Sequence, residues 1–166
     1  MSGPDLPNQV PTTTATTQVG AIGECLTAAG ILEGSAGRLS PFKPIADDDG
    51  MDLLVFDKLT RKAIPLQIKS RRTYDDTKAQ TVQFDVRLKT FAWEGEGYLL
   101  CIKLDGAAID TLWLIPAMDL FGVAKRSSTH LIVVPSAKPT SKDRLTPYRV
   151  KAFSEIAARI ISHQQA

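Results

Sequence analysis

The pattern of apolar and polar residues predicts alternating helices and strands in the first half of the chain. A helix is predicted over residues 16–30, where a threonine can cap the start, Gly30 is expected as the end, and the apolar stripe is Val19, Ile22, Leu26 and Ala29. The side away from this stripe carries small residues and one acid, which suits either close approach of another backbone or a solvated face: Gly20, Gly23, Glu24 and Thr27. The apolar runs at residues 51–56 and 63–70 are bounded by turn residues and predict an antiparallel strand pair. Prolines around residues 42–46 restrict that segment to an edge strand.

The second half of the chain adds further strands and helices to this order. Residues 82–86 alternate like a strand, but the following apolar positions favour a helix over residues 85–93. The remaining expected elements are strands at 98–104, 111–115 and 130–134, a short helix at 116–123, and a last helix that starts at Pro147 with Thr146 as its cap. The order helix, three strands, helix, then strands and helices is typical of one mixed α/β domain.

Length and composition are those of an ordinary globular protein. The 166 residues are 43% apolar and 23% charged, which suits a single domain at 15–166 preceded by a flexible, Pro- and Thr-rich arm at 1–14. Neither a bilayer-spanning apolar run nor a signal peptide is visible, so no membrane association is expected. Cys25 and Cys101 lie in apolar surroundings and are predicted to be buried thiols of a reduced, cytoplasmic protein.

Positive charge is concentrated in the second half of the chain. Residues 71–166 carry 14 basic against 10 acidic side chains, although the whole chain has a net charge of only +2. Within residues 120–151, seven basic residues, among them Lys125 and Arg126, stand against the single acid Asp143. Such a surface can attract phosphate backbones, although an ordinary solvated face explains most basic runs.

Polar side chains interrupt two apolar runs between residues 47 and 72. Asp52 enters the first run, and Gln67 and Lys69 lie in the second. Because side chains alternate along a strand, Gln67 and Lys69 share one face, and Ile68 lies on the other. If Asp52 points to the same face, an acid, an amide and an amine converge beside buried strands. An apolar strand pair with such residues needs partners for them, which favours a functional site over a turn and a solvated sheet face.

These residue types suit metal-assisted phosphodiester hydrolysis. Mg2+ keeps several waters and takes one or two carboxylates, so Asp52 with Glu24, or with an acid from residues 47–49, would suffice. Gln67 offers a neutral carbonyl oxygen. Lys69 is placed to orient the attacking water or to stabilise charge on the phosphate. His130 and His163 lack ligand spacing, and no glycine-rich phosphate loop is present, so a zinc site and a nucleotide fold are not expected.

The same residues resemble the PD-(D/E)XK nuclease superfamily, in particular its Holliday-junction-resolvase-like and restriction-endonuclease-like members. The resemblance rests on Gly20-x-x-x-Glu24 in the first helix, the acidic turn that ends at Asp52, and the run from Pro65 to Ser70 that contains Gln67 and Lys69. It implies a restriction-endonuclease-like αβββαβ core with a mixed sheet flanked by helices. Gln67 departs from the pattern, because it stands where Asp or Glu is usual.

The resemblance implies a metal-dependent endonuclease that hydrolyses DNA with Mg2+ or Mn2+. Asp52, Gln67, Lys69 and Glu24 would be catalytic, and Asp52, Gln67 and Glu24 would hold the metal. Arg71, Arg72, Lys125 and Arg126 are predicted to contact nucleic acid. Small nucleases of this type often act as homodimers. Two alternatives stay open: an inactive nucleic-acid-binding module on the same scaffold, weakened by Gln67, and a domain whose polar face binds another protein.

Overall fold

A computed structural model describes residues 16–46, 50–73, 80–90 and 96–165. The predicted arm at residues 1–14 and most of the acidic turn, residues 47–49, lie outside this part. Within it the helices are α1 (Thr16–Gly34), α2 (Ala117–Val123) and α3 (Phe153–Gln165). The strands are β1 (Leu39–Phe42), β2 (Leu53–Asp57), β3 (Ala63–Arg72), β4 (Phe84–Arg87), β5 (Tyr98–Asp105), β6 (Ala108–Pro116), β7 (Lys125–Arg126), β8 (His130–Val133) and β9 (Arg149–Val150).

Six of these strands form one mixed sheet in the order β1-β2-β3-β5-β6-β9. Neighbouring strands are antiparallel except for β3 and β5, which run parallel in a register that starts at the Leu66–Tyr98 pair. The predicted antiparallel pair of β2 and β3 is therefore confirmed, and so is the mixed sheet.

The sheet separates two apolar cores. On one face, α1 and α3 cover inward-pointing residues such as Leu66, Ile68 and Leu100. On the other face, α2 and a second sheet of order β4-β8-β7 enclose residues such as Leu99, Trp113 and Phe84. The expected arrangement of a mixed sheet flanked by helices is present. In the described part of the chain, no helix is long and apolar enough to cross a membrane.

Helix α1 packs on the sheet through small residues. Its buried residues are Val19, Gly23, Thr27 and Ile31, spaced four apart on one line. A Cβ atom added at Gly23 would lie 1.8 Å from the Ser70 Oγ, so the glycine sets how closely α1 approaches β3. The buried line therefore differs from the expected stripe through Val19 and Leu26. It includes Gly23, and Leu26 is only partly buried. The helix also continues past Gly30 to Gly34, where the prediction ended it too early.

Three other sequence predictions are wrong. Residues 84–87 form strand β4 and residues 88–90 a 3-10 turn, where a helix was expected. Pairing with β8 decides this, because it buries Phe84 and Val86 on the alternating face. The chain after Thr146 forms a 3-10 turn and β9 before α3 begins at Phe153. Cys25 is exposed, whereas Cys101 is buried as expected, and both thiols are free.

Candidate active site

A stretch of unpaired edge on β3 provides the frame of the candidate site. Strand β2 pairs with β3 only as far as the Leu53–Leu66 pair, but β3 continues to Arg72. Beyond Leu66, no strand in the described part of the chain pairs with this side of β3, which leaves a cleft. Helix α1 lines the cleft on one side and β4 on the other.

Asp52 lies at one end of this cleft, one residue before the start of β2. Its backbone N–H donates to the Leu66 carbonyl at 3.1 Å, and its carboxylate accepts a short hydrogen bond from the Ile68 N–H. The side chain thereby occupies the position where the β2–β3 ladder would otherwise continue. Both contacts fix the carboxylate at the cleft, in agreement with the predicted convergence of Asp52 with the polar residues of β3.

Gln67 and Lys69 face the same pocket as Asp52. The pocket has a volume of about 390 Å³ and is lined mainly by polar side chains. Gln67 is only 2% exposed, and its Oε1 atom is buried without a hydrogen-bond partner in the described structure. A buried amide oxygen without a partner costs free energy, on the order of 1–3 kcal/mol. Gln67 therefore leaves an oxygen acceptor unused beside the pocket.

Among the described residues, the side chain of Lys69 makes no hydrogen bond and no ion pair. Its register partner on β5 is Cys101. Burial raises the pKa of the Cys101 thiol well above its usual value, and the Lys69 charge opposes that rise. The thiol is therefore neutral and leaves the ammonium group of Lys69 available to an anion that enters the pocket.

Glu24 lies at the α1 wall of the cleft. It lines an adjoining cavity of about 560 Å³ together with Asp52, Lys69 and other residues. Its Oε2 accepts a hydrogen bond from the Lys43 Nζ at 2.6 Å, and this bond is the main cause that raises the pKa of Lys43. The structure thus brings Glu24 to the same cleft, but pairs it with a lysine.

Three further residues line the pocket and were not predicted from the sequence. Asp85 and Arg87 come from β4, and His130 from β8. The carboxylate of Asp85 accepts hydrogen bonds from Gln83 at 2.9 Å and from Arg71 at 3.2 Å. The alternation of Val82, Phe84 and Val86 carried the signal, since it leaves residues 85 and 87 on the opposite face of a strand.

The four residues predicted to contact nucleic acid lie in different parts of the structure. Arg71 lies on the Gln67 and Lys69 face of β3 and is held to β4 by Asp85, whereas alternation places Arg72 on the α1 face. Lys125 and Arg126 are exposed and form β7, the far strand of the small sheet. The structure therefore brings Arg71 to the cleft beside the pocket but separates it from Arg72, Lys125 and Arg126.

The donor set at the pocket fits a hard divalent cation. In the described residues, no three His, Cys, Asp or Glu side chains are grouped so that they could hold a metal ion. Asp52 and Gln67 nevertheless supply a carboxylate and an amide oxygen, and the Gln67 oxygen lacks another partner. Two protein oxygens suffice for Mg2+, which keeps several of its waters.

The similarity of this chain to known proteins is found in its fold and not in its sequence. No family profile matches the sequence, and no curated protein matches it significantly. The structure of the bacterial homing endonuclease I-Ssp6803I is similar, with a TM-score of 0.59 at 18% identity over 92% of this chain and 99% of that one. The fold of this chain is therefore that of this homing endonuclease.

A second solved structure is also similar to this chain. It is Hjc, a Holliday junction resolvase of Archaeoglobus fulgidus, with a TM-score of 0.42 at 10% identity. The similarity covers 76% of this chain and 96% of the resolvase. The expected nuclease-like fold is confirmed by the similarity to the homing endonuclease.

Proposed function

We propose that this chain is a metal-dependent endonuclease that hydrolyses phosphodiester bonds of DNA. The buried, unpartnered Oε1 of Gln67, next to Asp52 and Lys69 in one polar pocket, is the observation that carries the proposal. A fold shared with a homing endonuclease supports it. The cofactor would be Mg2+ or Mn2+, held by the oxygens of Asp52 and Gln67, and by Glu24 once it leaves Lys43.

Each residue has a distinct part in this proposed reaction. A bound divalent ion would neutralise charge on the phosphate and make a bound water more acidic. Asp52 and Gln67 would hold that ion through their side-chain oxygens. Lys69 hydrogen-bonds the attacking water or a phosphate oxygen, and Arg71, fixed by Asp85, holds a neighbouring phosphate.

Cleavage of DNA by the purified protein tests the proposal. Plasmid and linear duplex substrates are incubated with Mg2+, with Mn2+ or with EDTA, and the wild type is compared with Lys69→Ala. We expect metal-dependent cleavage that falls at least about 100-fold in the variant, because electrostatic stabilisation at such sites contributes that much. Lys58→Ala is the matched control, since Lys58 is exposed and bonds the Gly37 carbonyl away from the cleft. Undiminished cleavage by Lys69→Ala contradicts the mechanism.

A second candidate function is DNA binding without catalysis. The Glu24–Lys43 pair at 2.6 Å favours it, because that pair removes one acid from a site already neutral at Gln67. Salt-dependent DNA binding with no cleavage in Mn2+ would establish this alternative.

Sedimentation of the wild type with a short duplex would at the same time test the proposed homodimer, which would place one catalytic site on each strand.

A further inference from the structure

The small sheet has one face that is closed and one that is open. On the closed face, Phe84, Val86, Leu131 and Val133 are buried in the second core. Alternation turns the intervening residues of β4 and β8 to the other side, where Asp85, Arg87 and His130 line the catalytic pocket. We refer to this open side as the outer face.

Strand register extends the outer face from the pocket to β7. Asp85 is paired with Ile132, and Ile132 with Lys125, so these three side chains point to the same side. Arg126 is paired with Leu131, which is buried on the closed face. The two adjacent basic residues of β7 therefore point in opposite directions, and only Lys125 belongs to the outer face.

A basic loop continues the outer face beyond β7. Asp143 organises this loop, because its carboxylate accepts hydrogen bonds from the Ser136 N–H at 3.0 Å, the Leu145 N–H at 2.8 Å and the Ser141 hydroxyl at 2.9 Å. The loop turns three exposed basic side chains outward: Lys138, Lys142 and Arg144. Arg144 lines a recess of about 130 Å³ with Lys125 and Ile132, which places the loop against the outer face.

We propose that the outer face docks the phosphate backbone of duplex DNA along a line from Arg87 through Lys125 to Arg144. This inference rests on the proposed function and specifies where the duplex lies. Charge complementarity supports it, because both acids along this line already have partners. Asp85 is paired with Arg71, and Asp143 accepts hydrogen bonds within its own loop. Strands β4 and β7 are two strand spacings apart, about 10 Å. Lys125 and Arg144 therefore lie far enough from the pocket to contact phosphates other than the one to be cleaved.

Salt-dependent DNA binding in EDTA tests the docking surface without cleavage. A fluorescent duplex of about 30 base pairs is titrated with wild type, Lys125→Ala, Arg144→Ala and the double variant at several salt concentrations. Each lost phosphate contact should reduce the slope of log affinity against log salt by about 1, and the double variant by about 2. Arg126→Ala is the matched control, since it removes the same charge one residue away on the opposite side, and its slope should stay that of the wild type.

The outcomes separate this inference from the proposed activity. Equal slopes for Lys125→Ala and Arg126→Ala would show a diffuse charge effect and overturn the docking surface, even if the protein cleaves DNA. A reduced slope only in the outer-face variants supports the surface, even if Mn2+ elicits no cleavage. A wild type that binds no duplex overturns both proposals. Thermal unfolding of each variant checks that the small sheet remains folded.

Discussion

The carboxylate of Asp52 accepts a hydrogen bond from the backbone N–H of Ile68, just before the start of β2 and where β3 continues without it. One side chain thus satisfies an edge amide that would otherwise lack a strand partner, and also places a negative charge at the pocket. Its structural contribution and its proposed catalytic contribution are therefore separable by substitution, because the first needs an acceptor and the second needs a charge.

Asp52→Asn should separate these two contributions from each other. The amide keeps an acceptor for the Ile68 N–H, so we expect stability within about 1 kcal/mol of the wild type. Loss of the charge should weaken metal binding and reduce cleavage at least about 100-fold. Asp52→Ala should lose both, with a further destabilisation of about 1–3 kcal/mol for the unsatisfied amide. Denaturant unfolding and cleavage assays check this, and cleavage by Asp52→Asn at the wild-type rate would contradict the role.

Gln67→Glu should make folding stability depend on metal. A carboxylate at this 2%-exposed position is buried without a partner, so the variant should have a lower Tm than the wild type in EDTA. Mn2+ should raise its Tm more than that of the wild type, since each tenfold gain in affinity adds about 1.4 kcal/mol at saturation.

Gln67→Met is the matched control for that experiment. It keeps a similar volume, removes the unpartnered oxygen, and should abolish the Mn2+ response while leaving the fold intact. If Mn2+ shifts the Tm of wild type, Gln67→Glu and Gln67→Met equally, the amide oxygen is not a ligand.

The sequence allowed the β2–β3 part of the site to be predicted, since local alternation alone decides which face Gln67 and Lys69 share. It did not allow the β4 part to be predicted. Residues 82–86 alternate correctly, but the apolar positions after them also fit a helix, and only pairing with β8, more than 40 residues later, settles the choice. Asp85 and Arg87 were missed for this reason. Local periodicity does not reveal which distant strand a segment pairs with, so it could not decide between strand and helix.

The buried line of α1 was missed for a different physical reason. An apolar pattern gives no weight to glycine, yet Gly23 is buried because its missing side chain lets α1 approach Ser70. The same close approach brings Glu24, the next residue, to the cleft. A small-residue side that carries one acid was visible in the sequence, but its contact with β3 depends on how the helix docks.

Gly23→Ala should destabilise the protein even though alanine is the better helix former. Its Cβ would lie 2.9 Å from the Ser70 Cβ, a contact that no side-chain rotation relieves, so we expect a loss of about 1–3 kcal/mol. Gly20→Ala on the same helix meets nothing within 4 Å and should gain about 0.5–1 kcal/mol. Chemical denaturation measures both, and a stabilised Gly23→Ala protein would refute the close packing.

Lys43→Met should strengthen metal binding if Glu24 is a ligand. Lys43 donates to Glu24 at 2.6 Å, and a cation bound by Glu24 must displace it. The gain is expected to be at most about fivefold, because exposed ion pairs contribute only about 0.2–1 kcal/mol. Calorimetric titration with Mn2+ measures it. An unchanged dissociation constant, together with an unchanged one in Glu24→Gln, would remove Glu24 from the metal site.

Acid should destabilise the protein through the buried pair of Asp57 and Arg38. The Arg38 guanidinium donates from Nε at 3.0 Å and from Nη2 at 2.7 Å, and these bonds hold the pKa of the Asp57 carboxyl well below its usual value. A depressed folded-state pKa means that this stabilisation is present above the unfolded-state pKa of about 3.9 and is lost as pH falls below it.

Asp57→Asn removes this titration, so the variant should unfold more easily at pH 7 by on the order of 2 kcal/mol. The difference from wild type should shrink as pH falls from 4 to 2. Asp57 then takes up a proton in the unfolded wild type but resists it in the folded state, so unfolding of the wild type becomes more favourable. Denaturant midpoints over that range measure it. Asp110→Asn is the control, since the Asp110–Lys103 pair is partly exposed and should change the midpoint little. Parallel curves for wild type and Asp57→Asn would show that another group controls the acid limb.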